Sequence, residues 1–224
     1  SLCFVLFFLC MVSYANSKEK IEAEAVVALN LVLEKDPQNP KLLSELGLVY
    51  FKRKQYQRAI KLFKKSLKFR EKHSKTHFHL ALAYGALGRH SKKLRELIKT
   101  IRLSPEIAEF NFKLALAYAA INKHQQASKF YKKAIKLDPS YSEAHYFLAL
   151  SYFLVNRYEE ALSSIKESIR IEPSNAEAYY ALGQIYMKLG HYNKAITPLQ
   201  TAMRINPGLE DKKSNSGTYK SLQK

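Results

Sequence analysis

The sequence predicts an all-α protein built as a stack of antiparallel helical hairpins. Pro105, Pro139, Pro173 and Pro207 stand 34 residues apart. Tyrosine keeps the same interval at Tyr50, Tyr84, Tyr118, Tyr152 and Tyr186, as does leucine at Leu46, Leu80, Leu114, Leu148 and Leu182. The residue after each leucine is small: Gly47, Ala81, Ala115, Ala149 and Gly183. A period held in phase over five units marks a repeat architecture, in which each unit buries its apolar face only by stacking on its neighbours.

The first segment in order is the apolar run Leu2–Val12, followed by Ser13-Tyr14-Ala15. Laid on the repeat, this stretch would need its tyrosine at Asn16, and the run has no polar face for solvent. Eleven apolar residues followed by small ones fit a secretory signal better, typically with ~7–15 apolar residues. Residues 1–15 are therefore expected to be an export signal with a mature start at Asn16, the alternative being an uncleaved membrane anchor. The chain begins at Ser1 without a methionine and reads as truncated there. Cys10 follows Leu9, where a lipoprotein signal would want a small residue. Both cysteines lie in this run, so the remainder can form no disulfide and no thiolate metal site.

Residues 16–39 contain AEAVVALNLVLEKDP (23–37), which matches the second half of a unit and is expected to form a single capping helix. Five units follow at 40–73, 74–107, 108–141, 142–175 and 176–207. In SEAHYFLALSYFLV (142–155) the apolar residues fall at helical spacing. After a break near Asn156, YEEALSSIKESIRIEP (158–173) forms a second helix that its proline stops. Ala59, Ala127, Ala161 and Ala195 recur at one point of the second helix, and Phe63, Tyr131, Ile165 and Leu199 follow one turn later. Unit two places Lys93 at the alanine position, where the charge is expected to reach outward past its neighbours. Pro198 lies inside the fifth second helix and is expected to kink it, at about 3 kcal/mol. Residues 208–224 are polar and are expected to fray, leaving the last hairpin without a strong cap.

This pattern closely resembles the tetratricopeptide repeat family, whose unit carries Trp-x2-Leu-Gly-x2-Tyr, then Ala-x3-Phe, then Pro. The last unit, YYALGQIYMKLGHYNKAITPLQTAMRINP (179–207), displays it most fully. The family's tryptophan position holds Leu43, His77, Asn111, His145 and Tyr179 instead. The resemblance implies a right-handed superhelical solenoid whose first helices line a concave, ligand-binding groove and whose second helices face the convex side.

On that frame the candidate groove residues are Leu48, Phe51, Phe78, Leu82, Phe112, Leu116, Tyr146, Leu150, Phe153 and Tyr180. Such an apolar stripe would suit a partner's amphipathic helix or extended peptide. The competing reading is that these side chains pack against one another. The clamp of lysine, asparagine and arginine that some family members use for acidic C-termini is not supported, because these positions are mostly apolar. The formal charge is +18, and residues 40–141 hold 24 Lys and Arg against 6 Asp and Glu. Much of that excess falls on second helices, at Lys61, Lys64, Lys65, Lys68, Lys92, Arg95, Lys99, Lys132, Lys133 and Lys136. A basic convex face could meet an acidic protein, an anionic membrane surface or nucleic acid, although no groove-reading helix or stacking platform accompanies it. Nucleic acid is therefore disfavoured.

No His-Glu-x-x-His, phosphate-cradling glycine loop or nucleophile elbow occurs. His73 and His77 have a metal-compatible spacing, but no third ligand is evident and a structural role is expected. The chain is thus expected to be a non-catalytic scaffold or adaptor, with no cofactor and no metal, that binds other proteins in an apolar groove. The alternatives are an adaptor for anionic surfaces and the repeat segment of a larger enzyme.

Overall fold

The computed structural model of the chain describes residues 20–209. Residues 1–15, for which an export signal is expected, the start of the half-repeat and the tail beyond residue 209 lie outside the described residues. All regular structure among the described residues is helical. Helix α1 covers residues 20–35. Ten more follow: α2 (Pro40–Lys52), α3 (Tyr56–Phe69), α4 (Ser74–Ala86), α5 (His90–Leu103), α6 (Ala108–Ala119), α7 (His124–Leu137), α8 (Ser142–Leu154), α9 (Tyr158–Ile171), α10 (Ala176–Lys188) and α11 (Tyr192–Ile205). From α2 onward they pair into five hairpins whose first helices begin 34 residues apart. The chain divides after Pro105 into two compact units, one holding α1–α5 and the other α6–α11.

The periodic tyrosine marks the turn inside each hairpin. Four residues after it, Lys54, Gly88, Asn122, Asn156 and Gly190 all adopt left-handed backbone, with φ from 58° to 76°. The next residue's N–H then returns to the tyrosine carbonyl, as in Gln55 to Tyr50 at 2.8 Å and Arg157 to Tyr152 at 2.9 Å. That bond satisfies a carbonyl that the ending helix would otherwise leave open. The tyrosine rings also lie beneath cations in four units: Arg58 on Tyr50, Lys92 on Tyr84, Arg157 and Lys132 on Tyr152, and Lys166 on Tyr186, at 4.7–5.9 Å from the ring centres.

Small residues let the two helices of a hairpin approach. A Cβ added at Gly47 would lie 2.7 Å from the Phe63 ring, and one at Gly183 would lie 2.6 Å from Leu199. Ala59, Ala127 and Ala161 are fully buried, as are Phe63, Tyr131 and Ile165 one turn later. Lys93 is half-buried, and its stem runs beside Gly85, with Cδ 3.0 Å from where a Cβ would stand. Neighbouring units carry Phe51, Ala119 and Phe153 at the Gly85 position, so the missing side chain makes room for the lysine stem. Helix α11 runs through a buried Pro198 from Tyr192 to Ile205.

The two units differ in what they bury. In the first, helix contacts are partly polar: Ser44 and Thr76 share a hydrogen bond at 3.0 Å, and the Ser66 hydroxyl donates to the Pro40 carbonyl at 2.6 Å. In the second, an aromatic cluster dominates, with Phe112 against Tyr131, Tyr141 and Phe147 at centroid distances of 4.8–5.8 Å. The last hairpin is not bare at its end. Leu209, just after Pro207, is buried against Ala176 and Ala202.

Candidate functional site

The first-helix stripe is only partly a surface. Phe112 is 1% exposed, and Phe78 and Phe153 are also buried, so three of the ten expected groove residues belong to the core. The unit position that precedes the tyrosine by six points between hairpins, where Phe112 contacts α7 through Tyr131 and α8 through Phe147. Phe153 packs edge-on against Tyr158 at 5.5 Å, as Phe51 does against Tyr56 at 5.4 Å, so both close their own hairpin turn. In the first unit Leu48, Phe51 and Leu82 remain part-exposed. In the second unit Leu116, Tyr146, Leu150 and Tyr180 remain part-exposed. Leu154 and Met187, at 44% and 45%, extend the second set. These residues come from α6, α8 and α10, and α8 touches both of the others.

Beside the first unit's stripe lies a polar hollow of about 310 Å³, lined by Lys41, Ser44, Glu45 and Leu48 from α2 and by Arg70, His73, Lys75 and His79. Burial first, then the neighbouring His73 and the Lys75 charge, pushes the His79 imidazole down to about 4. Its Nδ1 is buried without a hydrogen-bond partner among the described residues. The ring therefore stays neutral at physiological pH.

The ten basic residues expected on the convex face are exposed except Lys133, which is half-buried. Of the ten, Lys64 and Lys68 from α3 and Lys92, Arg95 and Lys99 from α5 line one cleft of about 500 Å³ in the first unit. Lys132 instead lies over the Tyr152 ring at 5.5 Å.

The cleft floor contains a buried, hydrogen-bonded His–Glu pair that the spacing of His73 and His77 did not reveal. His77 Nδ1 lies 2.7 Å from the Glu96 carboxylate, and Nε2 donates to the Glu71 carbonyl at 2.9 Å. The two residues are 5% and 4% exposed. Both ring nitrogens are thus engaged, Nδ1 by a carboxylate and Nε2 by a main-chain carbonyl. Burial alone would push the Glu96 carboxyl up, but the His77 hydrogen bond and the Lys99 charge hold it below the ordinary carboxylate value. With both nitrogens engaged, His77 has no lone pair left for a metal. His73 instead meets Thr76 at 2.7 Å. No three-residue His, Cys, Asp or Glu group with metal-holding geometry occurs among the described residues. The signal for Glu96 is its departure from the repeat, because the same unit position holds Leu62, Phe130, Ser164 and Pro198.

The comparison with known families agrees with this geometry. Residues 116–156 and 150–190 match the TPR repeat family, and 176–209 match the tetratricopeptide repeat family. Residues 20–100 match the repeat-bearing family described as anaphase-promoting complex, cyclosome, subunit 3. The chain belongs to the tetratricopeptide repeat family. No curated protein matches it significantly. Among solved structures, one of MamA is 26% identical, covering 76% of this chain and 98% of that one with a TM-score of 0.69. A second MamA structure is 24% identical over 81% and 97% of the two chains, with a TM-score of 0.72. YrrB, described as a TPR protein with an unusual peptide-binding site, is 17% identical over 82% and 94%, with a TM-score of 0.75. No helix among the described residues is long and apolar enough to cross a membrane.

Proposed function

We propose that this tetratricopeptide repeat protein is a non-catalytic scaffold that holds a partner's peptide or amphipathic helix against its first helices. The observation that carries the reading is the part-exposed apolar set on α6, α8 and α10. Leu116 and Leu150 occupy the same unit position, with Tyr146 one turn before Leu150 and with Leu154 and Met187 exposed nearby. Apolar groups repeated at helical spacing on adjacent helices suit a helix-in-groove or extended-peptide ligand. YrrB supports the reading only by carrying a peptide site on a similar fold. Export through residues 1–15 is part of the same proposal, and N-terminal sequencing of protein from the native host tests it. For the groove, peptides selected from a displayed library against the full chain should bind Leu116→Gln/Leu150→Gln at least about tenfold more weakly. Selected peptides that bind this variant unchanged would rule out the first-helix surface.

A further inference from the structure

The α3–α5 cleft lies on the second-helix side and is independent of the first-helix set. Lys64 and Lys68 stand one turn apart on one wall, and Lys92, Arg95 and Lys99 span two turns, about 10 Å, on the other. Two carboxylates, Glu71 and Glu96, oppose these five cations. Glu96 is already held at 2.7 Å by the buried His77, and it anchors Lys99 at 3.4 Å and Arg95 at 3.7 Å.

The repeat supplies an internal comparison. Sixty-eight residues on, α7 keeps Lys132 and Lys136 where α3 has Lys64 and Lys68. Facing them, α9 has Glu160, Ser163 and Glu167 in place of Lys92, Arg95 and Lys99. Glu160 pairs with Arg157 and Glu167 with Arg170 at that seam. The fold therefore does not require cations on both walls, and a generally lysine-rich composition would have charged both seams alike.

We propose that the α3–α5 cleft binds a multiply phosphorylated ligand. Four of the five cations are lysines, compact point charges that suit phosphate oxygens. An extended acidic peptide would turn alternate side chains away from a trough, whereas an oligophosphate directs all its charges into it. Tyr84 on the floor is buried and covered by Lys92 at 5.7 Å, so it offers no free face for a nucleobase.

The test is calorimetric titration of the full chain with tripolyphosphate at low and high salt. One site per chain is expected, weakened by salt and lowered at least about tenfold by Lys68→Ala/Arg95→Ala. Lys132→Ala/Lys136→Ala should leave it unchanged. Vesicles containing phosphatidylinositol bisphosphate, set against phosphatidylserine vesicles, separate the sources: phosphoinositide-dependent binding lost in Lys68→Ala/Arg95→Ala assigns a lipid headgroup. Tripolyphosphate binding without vesicle binding assigns a soluble compound. Absent tripolyphosphate binding, equal loss in both alanine pairs, or equally tight binding of a polyglutamate peptide would overturn the proposal. Should Lys68→Ala/Arg95→Ala fail to fold, Glu160→Lys/Glu167→Lys gives an independent reading. It should create a second site, and an unchanged stoichiometry would overturn the proposal.

Discussion

Replacing His77 and Glu96 together by leucine should leave the protein at least as stable as it is, although either replacement alone should weaken it. The repeat has performed this exchange itself, since the matching positions one unit earlier are Leu43 and Leu62 and both pack in an apolar cluster. The pair lies 2.7 Å apart and is almost wholly buried. A hydrogen bond to a charged group contributes about 1.5–3 kcal/mol, and taking both polar partners out of water offsets most of that. Glu96→Leu strands the His77 Nδ1 donor, and His77→Leu strands a carboxylate, so each should cost about 3–5 kcal/mol. The double variant loses both burdens together and should fall between no change and a gain of about 4 kcal/mol. Urea denaturation of the full chain, followed by far-ultraviolet circular dichroism, gives all four corners of the cycle. Single losses that simply add in the double variant would refute the reasoning, because the two side chains would then not be acting on each other.

Tyr131→Phe should raise stability by about 1–2 kcal/mol, because the fully buried hydroxyl has no partner among the described residues. Burial pushes that phenol up, in keeping with its dry surroundings, and a loss of stability on denaturation would expose a partner not otherwise evident. Lys54→Gly should stabilise the first hairpin turn by up to about 1 kcal/mol, since φ is 58° there and glycine adopts that region without strain. A lower melting temperature would contradict this. Acidification should destabilise the fold. His79 titrates near 4 when folded and near 6.5 when unfolded, so the unfolded chain binds more protons between those values. Its stabilisation is full above about pH 6.5 and is lost as pH falls toward 4, at about 1–2 kcal/mol after discounting for solvent reaching the ring. His73 and His124, both lowered chiefly by burial, act in the same direction. Glu96, also lowered, adds its loss below about pH 4.5. Melting temperatures that stay flat from pH 7 to 4.5, or that do not flatten in His79→Leu, would refute the assignment.

The hairpins were legible because their causes are local and repeated. Helical spacing, a small residue beside each leucine and a turn four residues after each tyrosine recur at one interval. The exposed surface was less legible. Phe78 and Phe112 occupy the same unit position as Tyr146 and Tyr180, yet the phenylalanines are buried and the tyrosines remain part-exposed. A periodic aromatic can serve packing or a ligand, and only the neighbouring helices decide which. The His77–Glu96 pair was hidden for a related reason. The two residues are 19 apart, on different helices, and no short-range pattern links them.

By itself the sequence determined the repeat, the helix pairs, the turns and the uneven charge, because each follows from residue type at a fixed spacing. Tertiary structure alone decided that the chain divides after Pro105, that Leu209 joins the last core, and that Lys64, Lys68, Lys92, Arg95 and Lys99 face one cleft. These depend on how side chains fill the space between hairpins, and volume and burial there are properties of pairs of elements rather than of the period that places them.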